Sequence, residues 1–186
     1  MEVDNSAESG IIKLNTELKS LSNLEAYSSR GIDIPYNLKS YLEKLKSSGD
    51  YVSGQAGSFT MNDVSVLSKE TGVEFACVTV GDQSYLIRGD ETGTNIPKNI
   101  FDEIIKNNGT LDFHSHPHDG ENIPSASDLK VIAMLENVTG QDTSKIITTD
   151  GKITLFNKYG VISIETADNT MTDECKKMLE ELFGGE

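Results

Sequence analysis

The 186-residue chain has no tryptophan, two cysteines, four prolines and three histidines. Each scarcity excludes something. Cys77 and Cys175 lack the C-x-x-C spacing of a redox or thiolate-metal motif and are too few for a disulfide framework. Both are expected to be reduced, Cys77 as a small core residue and Cys175 on a terminal helix. No apolar run approaches the roughly 20 residues that cross a bilayer. Sixteen Lys and Arg stand against 30 Asp and Glu, a formal charge of -14, and phosphate backbones need the opposite balance. Neither nucleic acid nor membrane is therefore expected as a partner. A basic or neutral protein partner is easier to accommodate, and an acidic surface also serves solubility. The start, "MEVDNSAESGIIKLN", lacks the basic flank and apolar core of a secretory signal, so a cytoplasmic location is expected.

What is present fits one ordinary domain with an appendage. Ile11, Leu14, Leu18, Leu21 and Leu24 recur at helical spacing. Pro35 can open a second helix with Leu38, Tyr41, Leu42 and Leu45 on one face and Gly49 as its stop. These two helices form an N-terminal extension over residues 1–56, and the Gly/Ser-rich "SGQAGS" at 53–58 reads as a linker. The main domain then spans residues 57–186. It opens with a short helix capped by Thr60 or Asn62 and ended at Gly72. "VEFACVTVG", a turn at "GDQS" and "SYLIRG" predict a hairpin.

The spacing next predicts a helix from Pro97 to Gly109 and a strand "TLDFHSH". Another helix follows Pro124, with Leu129, Ile132, Ala133 and Leu135 as core candidates. Strands "KIITT", "KITLFN" and "GVISIE" come next, and a helix over residues 172–183 closes the chain. Strands and helices mix without strict alternation, which predicts an α+β or mixed α/β domain.

All three histidines fall within "FHSHPHDGENIPSASDLK", residues 113–130. Side chains alternate along a strand, so His114 and His116 share a face and can converge on one ion, while Ser115 points away. Pro117 ends the strand. Asp128, in the first turn of the next helix, can complete a His, His, carboxylate set. Catalytic zinc commonly takes three protein ligands and leaves a fourth position to water, which then ionises near neutral pH. Ser125 and Asp128 also form the S-x-x-D start of a helix, a capping role compatible with the metal role. A base is needed, and Glu74, at the start of a strand, has a fixed direction; Glu70, near a helix end, reads as solvated. His118 fits no ligand position and reads as a loop residue at the mouth of the site.

The run His114-Ser115-His116-Pro117, seven residues, Ser125, two residues, Asp128 resembles, without a gap, the HxHP-x7-SxxD signature of the JAMM (MPN+) zinc metalloproteases. "EFACVTVG" is similar to that family's Glu-bearing strand, with Cys77 where glycine is frequent. In the order of its elements the resemblance covers roughly residues 57 to 166. It implies a central mixed sheet flanked by helices and a zinc hydrolase of amide bonds, often isopeptide bonds. The implied partner is a protein or peptide substrate, a ubiquitin-like tail among the candidates. By position, His114, His116 and Asp128 would bind Zn2+, Glu74 would be general acid/base and Ser125 would stabilise the oxyanion. The loop "HDGENIP" is short, and no long insertion builds a dedicated ubiquitin groove. The alternative is a metal-bearing but non-catalytic interaction domain with the N-terminal helices as its docking element. A nucleobase deaminase is disfavoured, since H-x-E and P-C-x-x-C are both missing.

Overall fold

The computed structural model describes residues 36–166. The expected helices around Ile11–Leu24 and over 172–183 lie outside the described residues, as does Cys175. Between them the chain forms α1 (Tyr36–Lys44), β1 (Tyr51–Gln55), α2 (Met61–Thr71), β2 (Phe75–Val80), β3 (Gln83–Arg88) and α3 (Lys98–Asn107). β4 (Thr110–His116), α4 (Ala126–Thr139), β5 (Thr143–Thr148), β6 (Lys152–Asn157) and β7 (Gly160–Thr166) complete the order. The fold is α+β, a seven-stranded mixed sheet in the order β1-β3-β2-β4-β5-β6-β7 flanked by helices.

One expectation is overturned. The Gly/Ser-rich stretch at 53–58 is not a linker: β1 pairs antiparallel with β3 from Tyr51↔Ile87 to Gln55↔Gln83, at the edge of the sheet. Ser and Gly are poor strand formers, but an edge strand needs only its backbone donors and acceptors to add to the sheet. The compact unit that holds the sheet begins at Asn37. The expected boundary between residues 56 and 57 therefore falls inside it, and Leu38 and Leu45 of the α1 region are fully buried.

Local signals place the rest. Thr60 caps α2 in a reciprocal box with Asp63, and Gly72 closes that helix. β2 and β3 form the expected hairpin around Gly81 and Asp82. α3 ends one residue earlier than expected, on Asn108, which takes the left-handed conformation (φ 50°). Gly109 has a different duty. A Cβ there would stand 2.7 Å from Val80 Cγ2 and 2.9 Å from the Thr79 carbonyl oxygen, so the chain can enter β4 this close to β2 only without a side chain.

The central strands of the sheet are buried on both faces, while the edge strands β1 and β7 are largely exposed. Ala76, Val78, Val80, Ile87, Leu111, Ile146 and Phe156 pack with Ile100 and Ile104 of α3 and Ile132 and Leu135 of α4. Leu129 and Ala133, the other two core candidates of α4, are half-buried. On β2 the alternate residues Phe75 and Cys77 are buried as well, and α2 lies against β2, β4 and β5. Burying one Ile or Leu contributes about 1.5–3 kcal/mol, so the two layers fix the strands that carry the site.

β4 and β5 are the one parallel pair among the described strands, and parallel neighbours need a crossover, here α4. The chain therefore leaves the carboxyl end of β4, crosses a loop and enters α4 beside that strand end. Such ends are where open α/β sheets hold ligands.

Candidate functional site

β4 begins irregularly. Cys77 pairs with Phe113 but Val78 with Leu111, which leaves Asp112 as an extra residue, a β-bulge. Its carboxylate accepts hydrogen bonds from the hydroxyls of Thr79 (2.6 Å) and Thr110 (2.6 Å). The bulge resets the alternation, so that Leu111 lies in the core with α3 and α4 while His114 faces the same side. His114 meets the ring of Phe156 edge-on, centroids 5.9 Å apart. Ser115 points away, its Oγ accepting the Phe75 backbone N–H at 2.9 Å.

The three expected ligands converge. His114 Nε2 and His116 Nε2 are 3.2 Å apart. Asp128 Oδ1 lies 3.3 Å from His114 Nε2, and its Oδ2 lies 3.5 Å from His116 Nε2. Two features of α4 bring the carboxylate there. Its N-cap Ser125 and Asp128 form the expected capping box, with the Ser125 N–H donating to Asp128 Oδ2 (2.6 Å) and the Asp128 N–H donating to Ser125 Oγ (3.2 Å). The first turn of α4 also lies at the end of β4, so an N3 side chain reaches both imidazoles.

These spacings test whether a metal fits. Zinc–ligand bonds to His and Asp are about 2.0–2.2 Å, and a tetrahedron with such bonds has edges of about 3.3–3.6 Å. The two imidazole nitrogens, 3.2 Å apart, are near such an edge, and each lies 3.3–3.5 Å from its own oxygen of the Asp128 carboxylate, with one ligand atom from each residue within 4.8 Å of the others. The histidines are buried and Asp128 half-buried, and the group can hold a metal ion. The set of two imidazoles and one carboxylate suits zinc and other first-row divalent ions, and among the described residues no sulfur joins it.

Electrostatics agree with a shared cation. His116 Nδ1 lies 2.6 Å from the Glu121 carbonyl oxygen, which can only accept, so Nδ1 carries the proton and a neutral ring turns its Nε2 lone pair inward. His114 Nδ1, also buried, has no hydrogen-bond partner among the described residues. Burial opposes charge on Asp128, but the facing His114 and His116 rings and the hydrogen bond with Ser125 outweigh it and hold the carboxyl well below the usual range. Burial likewise opposes charge on His116, yet Asp128, the Glu121 carbonyl and Glu74 together raise it above its ordinary 6.5.

Glu74 sits immediately before β2, 7% exposed, with Oε1 4.0 Å from His116 Nε2. Its N–H donates to the Asp90 carbonyl (2.9 Å) and its own carbonyl accepts from the Gly89 N–H (2.8 Å), which ties it to the end of β3. Gly89 is required there, because a Cβ would collide with the Gly93 carbonyl and Thr94 Oγ1 of the returning loop. Burial raises the Glu74 pKa against the lowering pull of both histidines. Glu70 is exposed on α2. Ser125 is exposed beside the cluster, its Oγ accepting from Asp128. His118 is exposed in the loop, as expected.

Three participants had no sequence signal. The Glu121 carbonyl is a backbone group that any residue supplies, and Phe156 and Thr154 reach the site from β6, some 40 positions from the histidines, a pairing only the folded sheet creates. A separate cavity of about 490 Å³, lined by Phe59, Cys77, Asp112, Phe113 and Lys145 among others, contains none of the cluster residues. Among the described residues no helix is long and apolar enough to cross a membrane. Compared with models of known protein families, with curated proteins and with solved structures, the chain matches none.

Proposed function

We propose that this protein is a zinc-dependent hydrolase of peptide or isopeptide amide bonds, of the JAMM type that its 114–128 motif resembles. The observation that carries the reading is the trigonal array of His114 Nε2, His116 Nε2 and the Asp128 carboxylate at 3.2–3.5 Å, with Glu74 buried 4.0 Å away. Zinc held by these three groups would acidify a water molecule and polarise the substrate carbonyl.

The protein's own groups then divide the proton and charge transfers. Glu74 takes a proton from the attacking water as the new C–O bond forms. It returns that proton to the amine nitrogen as the C–N bond breaks, leaving a carboxylic acid and an amine, which become carboxylate and ammonium by proton exchange. A carboxyl whose pKa is raised by burial is suited to both halves of this exchange, since it neither holds its proton too weakly to donate nor is too solvated to accept. Ser125 uses its hydroxyl hydrogen toward the developing oxyanion while Oγ still caps α4, so the capping box fixes its direction. A protein or peptide with an accessible amide, a ubiquitin-like tail included, is the substrate class. The free, buried Cys77 is in keeping with a reducing, cytoplasmic setting.

The test is turnover of fluorogenic amide and isopeptide substrates by zinc-loaded protein and by Glu74→Gln. The reading expects activity lost by at least about a hundredfold in Glu74→Gln with zinc still bound. Zinc retention without turnover by the unsubstituted protein on any substrate would replace this reading with that of a metal-bearing interaction domain.

A further inference from the structure

The two imidazoles are held in different ways. His114 is oriented by packing: its Nδ1 meets no partner among the described residues, and its ring lies edge-on to Phe156 of β6. His116 is oriented by a hydrogen bond from Nδ1 to the Glu121 carbonyl, in the middle of the loop 117–124. A loop carbonyl can fix an imidazole only if the loop itself is fixed. That loop is pinned where Thr154 Oγ1 of β6 donates to the Asn122 carbonyl at 2.8 Å, the very next carbonyl after that of Glu121. Thr154 is fully buried in the centre of β6, paired with Ile146 of β5 on one side and Ile164 of β7 on the other. A second tether, Thr149 Oγ1 to Asp119 Oδ1 at 2.5 Å, holds the loop farther from Glu121.

We propose that Thr154 is a positioning residue for His116, acting through the Asn122 and Glu121 carbonyls to fix the imidazole as its Nδ1–H tautomer with Nε2 directed at the metal position. The inference rests on the metal reading above. It makes β6 the orienting strand for both histidines, Phe156 by ring contact and Thr154 by the loop. It also explains a buried hydroxyl on a strand whose neighbouring inward residue, Phe156, is apolar: a threonine there costs packing that valine would keep, and its hydroxyl goes to the loop.

The experiment compares unsubstituted protein with Thr154→Val, Thr154→Ser and Thr149→Val in two measurements. The first is zinc affinity by competition with a fluorescent chelator. Loss of partners behind a ligating histidine typically weakens metal binding 10- to 100-fold, so Thr154→Val, one bond further out, is expected near tenfold. Thr154→Ser, which keeps the hydroxyl, is expected to recover most of the affinity, and Thr149→Val to stay within about threefold of the unsubstituted protein. The second is the tautomer of His116 in metal-free protein, read from long-range ¹H–¹⁵N correlations at alkaline pH. The unsubstituted protein and Thr154→Ser should show Nδ1–H, and Thr154→Val a mixture with Nε2–H.

Unchanged zinc affinity and an unchanged tautomer in Thr154→Val would overturn the proposal. So would an equal loss in Thr149→Val, since the effect would then belong to the loop as a whole. If Thr154→Val does not fold, Thr154→Cys, of similar volume and weaker as a donor, takes its place with the same expected direction. The two readings fail separately: an unsubstituted protein that binds no zinc defeats the metal reading, whereas the tautomer measurement judges the relay in metal-free protein.

Discussion

Removing the Asp128 carboxylate takes away two things, a metal ligand and the N3 member of a capping box, and the molecule carries its own control for separating them. Asp63 occupies the same place at the start of α2, its Oδ2 accepting the Thr60 N–H at 3.1 Å and its N–H donating to Thr60 Oγ1 at 3.1 Å, whereas the histidine ion pairs among the described residues involve Asp128 and Glu74. Asp63→Ala should therefore cost about 1 kcal/mol, the usual value of a cap. In metal-free protein Asp128→Ala should cost about 2–4 kcal/mol, because the half-buried carboxylate also faces His114 and His116 at 3.3 and 3.5 Å, and charged hydrogen bonds contribute about 1.5–3 kcal/mol.

Zinc then separates the two variants. At about 100 times its dissociation constant, a ligand specific to the folded state stabilises by about 2.7 kcal/mol. For a chain of this size that raises the melting temperature by about 5–11 °C. Melting curves with zinc and with chelator should show this rise in the unsubstituted protein and in Asp63→Ala, and none in Asp128→Ala. A full zinc-induced rise in Asp128→Ala would refute the assignment of Asp128 as a ligand.

Other predictions follow from particular residues. The Cys77 thiol is buried and pushed up by that burial and then by the Asp112 carboxylate, so in a Cys175→Ser background native protein should resist iodoacetamide and react fully only when unfolded. Rapid native labelling would contradict the packing described. Gly109→Ala should destabilise by about 1–3 kcal/mol through its contacts with Val80 and the Thr79 carbonyl. Asn108→Gly, at the left-handed cap, should be neutral or slightly stabilising in denaturant titrations; the reverse order would place the strain at the wrong residue.

The metal-free protein should also lose stability as pH rises. His116, raised above 6.5, contributes stability that is fully present below that value and is lost as pH climbs through its folded value. Glu74, raised above 4.5 by burial, adds a fall in the same direction as pH rises through its folded value. Asp128, lowered from 3.8, contributes above that value and loses its part only as pH falls through its folded value. Zinc-loaded protein should show the opposite trend across the titration range of His116, because the ion needs deprotonated imidazoles. Melting curves in chelator and in zinc check both signs, and a metal-free melting temperature that rises above pH 6.5 would contradict them.

Much of this could be read along the chain because the signals are local. A strand puts His114 and His116 on one face, an S-x-x-D box starts a helix, and Gly72 ends one; each is decided within a few residues. The convergence of Asp128 was legible for the same reason, since only a short loop separates β4 from α4. What was not legible depends on partners distant in sequence. β1 has the composition of a linker, and its strand character comes from the free edge of β3. The bulge at Asp112 depends on register with β2, and it decides which β4 residues share the histidines' face. The contacts of Phe156 and Thr154 exist only because β6 lies beside β5, and the Glu121 contribution is a carbonyl that leaves no mark in the side-chain sequence. Gly109 was legible as punctuation but for the wrong reason, since Asn108 supplies the left-handed turn and Gly109 the close approach.

Zinc-edge X-ray absorption on stoichiometrically loaded protein tests the central claim most directly. The account predicts a first shell of two imidazole nitrogens plus oxygen at about 2.0–2.2 Å, without sulfur, lost on His114→Ala or His116→Ala. A shell containing sulfur, a shell unchanged by either substitution, or a protein that retains no zinc would contradict it.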